Sequence, residues 1–276
     1  MNPERPLYFP VQPEPLRMRA GLSRFGTDFG NGEADQRFFA RDATSPRYLS
    51  EKARVLAAYP ARDTVSIRSE RDEACVQAAH DWLRQTLERE GHAPLSQSSR
   101  VALGRELVED FAVLRLDQTG ADRILWLHAC FPSGWRPEQV IGRSFAGIHA
   151  RVPAFEAVAR KATSLVEAMV KRGPYVRFVW TISADDELDH HPDEGSQRAW
   201  TAETTRGFLR VERQTIASLP DVDGCVFLIR TYLYGFDELS PEHRSTLAQA
   251  LQRMPNEILR YKNLIPALPF ALPLLR

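Results

Sequence analysis

The chain is poor in cysteine, and the three it has, Cys75, Cys130 and Cys225, are far apart. No CxxC pair exists, so a zinc ribbon or an iron–sulfur cluster held by this chain is not expected. Three reduced, buried thiols are expected instead. Net charge is also missing, because 36 basic residues balance 36 acidic ones. A neutral chain has no general electrostatic attraction for nucleic acid or an anionic membrane. Long apolar runs are absent too. The apolar stretch from Leu264 to Leu275 is too short to span a bilayer and carries Pro266, Pro269 and Pro273, which break helices. It reads as an extended tail packed on the domain, or as a contact with a partner subunit. The first residues have no basic segment followed by an apolar one, so a secretory signal is not expected and a cytoplasmic location is. No Walker motif, GxGxxG, GxSxG or HExxH occurs. Nucleotide hydrolysis, Rossmann-type cofactor binding and serine or zinc hydrolysis therefore lack support.

What is present is an ordinary apolar fraction, 43% of 276 residues, enough for a packed core. The chain reads as one unit over 1–276, with a Pro- and Gly-rich extended arm over 1–30 and the apolar tail over 263–276. Helices are expected over 37–58, 72–90 and 99–116. The second has Cys75, Ala79, Trp82, Leu83 and Leu87 near one stripe, and the third runs through Leu103, Leu107, Val108, Phe111 and Leu114. The texture then changes. Strands are expected over 123–131, 176–183, 208–215 and 225–233, the last two joined by the hairpin-like run Leu219-Pro-Asp-Val-Asp-Gly224. A helix over 153–171, through Phe155, Val158, Ala162, Leu165, Val166 and Met169, separates the first two strands. Ser240 is expected to cap a last helix, with Pro241 in its first turn. Helices in the first half and an antiparallel sheet in the second make an α+β plan.

Charges sit inside these strands. Side chains alternate across a strand, so Arg230 shares a face with Val226, Leu228 and Tyr232. Arg210, Glu212 and Gln214 share a face of the preceding strand. If the two strands form a hairpin, Glu212 and Arg230 are expected on one surface, as a salt bridge or as the polar part of a pocket. Arg177 and Trp180 fall on opposite faces of their strand, one for a polar cluster and one for the core. His149 is a candidate axial ligand for haem iron; His128 and Cys130, two apart, are its rivals. His190-His191 sits among Asp185, Asp186, Glu187, Asp189 and Glu194 and reads as a solvated acidic loop.

Several separated blocks stand in one order: Arg17-Met-Arg-Ala-Gly-Leu22, Val108-Glu-Asp110, Cys130-Phe-Pro-Ser-Gly-Trp135, Ile148-His149, Arg177 with Trp180, Leu209-Arg-Val-Glu-Arg-Gln-Thr215, Phe227-Leu-Ile-Arg-Thr-Tyr232 and Tyr261-Lys262. In this the chain resembles the haem-dependent oxidative N-demethylases. The resemblance implies a PAS-like haem-binding α+β domain that removes a methyl group from a small amine such as dimethylamine, using dioxygen. It implies haem b on this chain. NADPH, FMN and a 2Fe-2S cluster would belong to partner reductase subunits. By position, His149 is the implied proximal iron ligand. Glu212, Arg230 and Arg177 are the implied catalytic polar residues, with Trp180 and Tyr232 beside the cofactor. A haem or gas sensor without turnover, and a partner-binding module, are the alternatives.

Overall fold

The computed structural model describes residues 5–16, 20–92, 100–153 and 162–276. Seven strands form one antiparallel sheet: β1 (Ser23–Arg24), β2 (Asp63–Val65), β3 (Asp110–Leu116), β4 (Asp122–His128), β5 (Tyr175–Ser183), β6 (Phe208–Leu219) and β7 (Gly224–Gly235), in the spatial order β1-β5-β6-β7-β3-β4-β2. The helices that flank it are α1 (Ser45–Ala58), α2 (Glu70–Arg89), α3 (Arg100–Glu106), α4 (Phe145–His149), α5 (Ala162–Lys171), α6 (Pro241–Arg253), α7 (Asn256–Tyr261) and α8 (Leu268–Ala271). The α+β class read from the sequence is the observed one. No helix among the described residues is long and apolar enough to cross a membrane.

The long β6–β7 hairpin is the spine of the sheet. Its ladder runs from Phe208 opposite Gly235 to Leu219 opposite Gly224. A turn over Pro220–Val222 closes it, with Asp223 in the left-handed region at φ 50°. Asp is one of the few residues that tolerates this conformation.

The first face of the sheet is closed by two groups of elements. Over β3 and β7, α2 packs Cys75, Val76, Ala79, Leu83 and Leu87 on Phe111, Val113, Val226 and Leu228. Over β5, β6 and β7, the arm residues Tyr8 and Val11 and the C-terminal helices pack on Trp180, Val211, Tyr232 and Tyr234. On the second face, Phe145 of α4 and Ala162, Val166, Met169 and Val170 of α5 pack against Ala112, Leu114, Ile216 and Cys225.

Three expectations need correction. The helix expected over 99–116 stops at Glu106, and Asp110–Leu116 is a strand whose seven residues are all buried. A central strand covered on both faces shows no alternation, so its apolar spacing also fits a helix. The apolar tail packs on the domain as expected, with Leu264, Ala267, Ala271 and Leu275 buried, but it does so in helical turns. Pro269 and Pro273 fall in the first turns of those pieces, where no backbone N–H is needed. The first expected helix begins at Ser45 rather than 37. The part of the expected 153–171 helix that holds Phe155 and Val158 lies outside the described residues; Ala162–Lys171 is helical. Ser240 caps α6 as expected, its Oγ accepting from His243 N at 3.1 Å. All three cysteines are buried and free.

Candidate functional site

The two faces of the central strands are covered unequally. Arg177, Val179 and Thr181 of β5, Glu212 and Gln214 of β6, and Phe227 and Ile229 of β7 are all half-buried. The register joins them into one floor on the second face, with Arg177 opposite Gln214, Gln214 opposite Ile229, and Val179 opposite Glu212. On the first face, Trp180, Val211, Arg213, Leu228 and Arg230 are buried. The open floor combines apolar Val179, Phe227 and Ile229 with a carboxylate, an amide and a guanidinium. A few polar groups on an apolar base is the usual make-up of a ligand pocket.

His149 ends α4 on this side of the sheet. Ser144 starts that helix, its Oγ accepting from Gly147 N at 3.1 Å, and Asp122 Oδ2 accepts from Phe145 N at 2.5 Å. One turn on, the His149 ring packs against Phe145, with centroids 4.3 Å apart. Its Nδ1 lies 2.8 Å from Phe145 O. A carbonyl can only accept, so Nδ1 carries the proton and Nε2 the lone pair. Burial lowers the imidazole pKa, and the guanidinium of Arg177 acts in the same direction. The ring is therefore held neutral, the form that ligates a metal.

Glu212 is oriented by its neighbour on the strand. Gln214 Nε2 donates to its Oε2 at 2.9 Å. Burial lowers the pKa of Arg177, and its interaction with Glu212 opposes that. Arg177 Nε is buried with no hydrogen-bond partner. At the outer edge of β5, Lys262 Nζ donates to Trp180 O at 2.7 Å. The residue is half-buried, and burial brings its pKa down to about 8 against the pull of Glu212. Arg177 thus interacts with Glu212 on one side and lies near the neutral His149 ring on the other, and Lys262 interacts with the same Glu212.

Arg230, Tyr232 and Trp180 are on the other face. Arg213 pairs with Arg230, Glu212 with Thr231 and Val211 with Tyr232. Glu212 and Arg230 therefore point in opposite directions, and the expectation that they share a surface is corrected. The turn sets this register, and a one-residue difference reverses it. Arg230 instead ion-pairs with Asp42 at 3.1 Å and lies 4.0 Å from the Tyr48 ring centroid. Trp180 fills the first-face core while Arg177 joins the polar floor, one of the two arrangements open from sequence.

The rival ligands His128 and Cys130 are both fully buried, with Sγ 3.7 Å from Nε2. Asp110 completes a trio whose ligand atoms lie within 4.8 Å of one another. Its carboxylate is already engaged, by Lys52 at 3.0 Å and by Phe131 N at 2.7 Å. Burial pushes the Cys130 thiol pKa up and that of His128 down. The trio sits in a closed interior with no face open to a macrocycle. The pair His190-His191 is not a solvated loop. Both rings are buried, His190 Nε2 lies 2.9 Å from Asp185 Oδ1, and His191 Nδ1 accepts from the N–H groups of Asp193 and Glu194. Neighbouring acidic residues signal solvent in a sequence, but here they are hydrogen-bond partners.

Sequence reasoning gave no role to Gln214 or Lys262. Gln214 was legible as a neighbour two residues from Glu212 on the same face. Lys262 follows α7, whose Ile258 and Leu259 share a core cluster with Trp180, and this long-range packing, which no local pattern reveals, brings its ammonium to Trp180 O.

The fold and site define an α+β protein with an imidazole beside a half-open polar and apolar sheet floor. A family model described as haem-dependent oxidative N-demethylase, alpha subunit-like, matches residues 56–268. The chain belongs to this family. The residues present fit the haem that the family name implies. His149 offers a neutral ring with its lone pair on Nε2, and Val179, Phe227 and Ile229 offer apolar surface to a macrocycle.

Proposed function

We propose that this protein is the haem-bearing subunit of an oxidative N-demethylase, acting on a small alkylamine of the dimethylamine kind in a PAS-like pocket. The reaction takes an N-methyl amine, dioxygen, two electrons and two protons to the demethylated amine, formaldehyde and water. The electrons come from a partner reductase carrying NADPH, FMN and a 2Fe-2S cluster. The observation that carries the reading is the half-open floor with Glu212 and Arg177 on the same face as His149.

His149 would hold the haem through Nε2, its ring fixed by Phe145 O. Bound haem supplies the activation of dioxygen that allows a methyl C–H bond to be oxidised. The rest falls to the chain's own side chains. Glu212, oriented by Gln214, accepts the hydrogen bond of the substrate ammonium and takes its proton, so that the nitrogen lone pair is available. Arg177 offers donors to negative charge that develops as oxygen is reduced. Val179, Phe227 and Ile229 receive the methyl groups and exclude water. Arg230 and Tyr232 act from the far side of the sheet by fixing β7.

The test is formaldehyde release from haem-supplemented protein given an electron donor and a panel of secondary and tertiary methylamines. Release in proportion to amine consumed supports the reading. Haem-loaded protein that binds gases reversibly and releases no formaldehyde with any amine overturns it in favour of a sensor.

A further inference from the structure

The far face of the sheet carries a second polar cluster that the demethylation reading does not use. Arg213 and Arg230 are directly opposite each other on β6 and β7. Glu109 immediately precedes β3 and lies one step beyond the Asp110–Ile229 pair, which continues the row to a third chain segment. Tyr232 is two residues from Arg230 on the same face. All four side chains are at most 2% exposed.

Like charges facing each other across two strands are unfavourable, the more so when buried. Carboxylates ordinarily relieve this, and here they do so only in part. Arg230 gives Nη2 alone to Asp42 and Thr44, and Arg213 gives Nη2 alone to the carbonyl of Asp35 at 3.4 Å. Rings lie against the two guanidiniums: Tyr48 and Tyr232 at Arg230, Tyr8 and Phe25 at Arg213. Stacked rings hold a guanidinium but take none of its in-plane N–H groups. What remains is buried and unpartnered: Arg213 Nε, Arg230 Nε and Nη1, Tyr232 OH and Glu109 Oε1.

We propose that this row is a binding site for a small planar oxyanion of the carboxylate class. Two guanidinium edges and a phenol hydroxyl supply the donors, and Glu109 in its acid form supplies one more. Planar forks recognise planar oxyanions in this way. Burial raises the pKa of Glu109 against the pull of Arg230, Lys52 and Arg213, which favours the acid form the site requires. Tyr232, whose pKa burial lifts to about 12, also faces Glu109 and stays protonated. The outer wall is the irregular arm, tied down by Tyr8 N to Tyr234 OH at 3.0 Å, Tyr234 OH to Pro6 O at 2.8 Å and Leu7 N to Asn31 Oδ1 at 2.8 Å. A few such bonds can open without unfolding the sheet.

The probe is sodium formate, titrated calorimetrically against sodium chloride at matched ionic strength, with and without added haem. One formate per chain is expected in both preparations, with no movement of the Soret band. Formate taken up at the haem moves that band and is absent without haem, so failure here is separable from failure of the demethylase reading. Tyr232→Phe is expected to weaken uptake about tenfold, the worth of one hydrogen bond to a charged group. Wild-type affinity falls as pH rises and Glu109 loses its proton; Glu109→Gln makes it flat. Three results overturn the proposal: no saturable uptake beyond chloride, affinity unchanged in both Tyr232→Phe and Arg213→Gln, or crystals grown in formate with water alone in the row. Should Arg213→Gln fail to fold, Tyr232→Phe and the crystals still decide.

Discussion

Glu212 and Arg230 are one step out of register across the β6–β7 hairpin, so they face opposite sides of the sheet. Two residues that a sequence places in one cluster thus belong to different surroundings. Glu212 lies on the half-open floor with His149 and Arg177, and Arg230 in a closed interior with Asp42 and Tyr48. Substitutions at the two positions are expected to fail in different ways.

Glu212→Gln keeps the size and the contact with Gln214 but removes the proton acceptor. Haem retention and unfolding midpoint are expected to stay near wild type, while formaldehyde release falls on the order of 100-fold or more. Parallel Soret spectra and product assays check this. A variant that turns over normally removes Glu212 from the proton chemistry.

His149→Ala removes the ring whose Nε2 carries the lone pair. Haem is expected to be lost on gel filtration, and added imidazole to restore a Soret band in the cavity left behind. An unchanged haem spectrum without imidazole counts against His149 as the ligand.

Arg230→Met leaves Asp42 buried without its ion-pair partner. Breaking a buried pair from one side costs about 3–5 kcal/mol, which urea unfolding measures directly. Replacing Asp42 with Asn in the same background is expected to recover part of that loss, because the stranded charge is then gone.

Lys262 titrates in the folded state near 8, below its unfolded value of 10.5, because burial disfavours the ammonium. The folded state then binds the proton more weakly than the unfolded one. The resulting penalty is fully present below pH 8 and is relieved as pH rises from 8 towards 10.5. Its ceiling is about 3 kcal/mol, from a gap of roughly two and a half units. Lys262→Met also loses the bond to Trp180 O, so the informative quantity is the slope. Wild type is expected to gain stability relative to the variant across that window, and parallel curves in chemical denaturation rule the account out.

Much of the fold was legible. The strands at Val176, Phe208 and Cys225, the hairpin turn and the Ser240 cap all follow from local pattern. The strand at Asp110 was not, because a strand buried on both faces loses the alternation that identifies it. His149, Arg177 and Glu212 could be picked out as residue types. Their common face depended on a register set by the Leu219–Gly224 connection, and the far-face row depended on the same register. The buried histidines at 190 and 191 were misleading for a related reason: a cluster of acids looks solvated until the fold shows that it wraps around an imidazole.

Tyr8 and Val11 share one core cluster with Leu264, Ala267, Ala271 and Leu275. During synthesis the ribosome releases the first pair long before the last four. Until then Trp180, Val211 and Tyr232 lack part of their outer layer, and the arm can close only on the strand residues it touches, such as Tyr232 and Tyr234. The hairpin can pair earlier, but this side of the molecule is completed only by contacts spanning more than two hundred residues, the kind that form slowly. Between the pairing of that hairpin and the arrival of residues 264–275, a growing chain thus exposes an apolar sheet surface, and that segment acts as the closing seam.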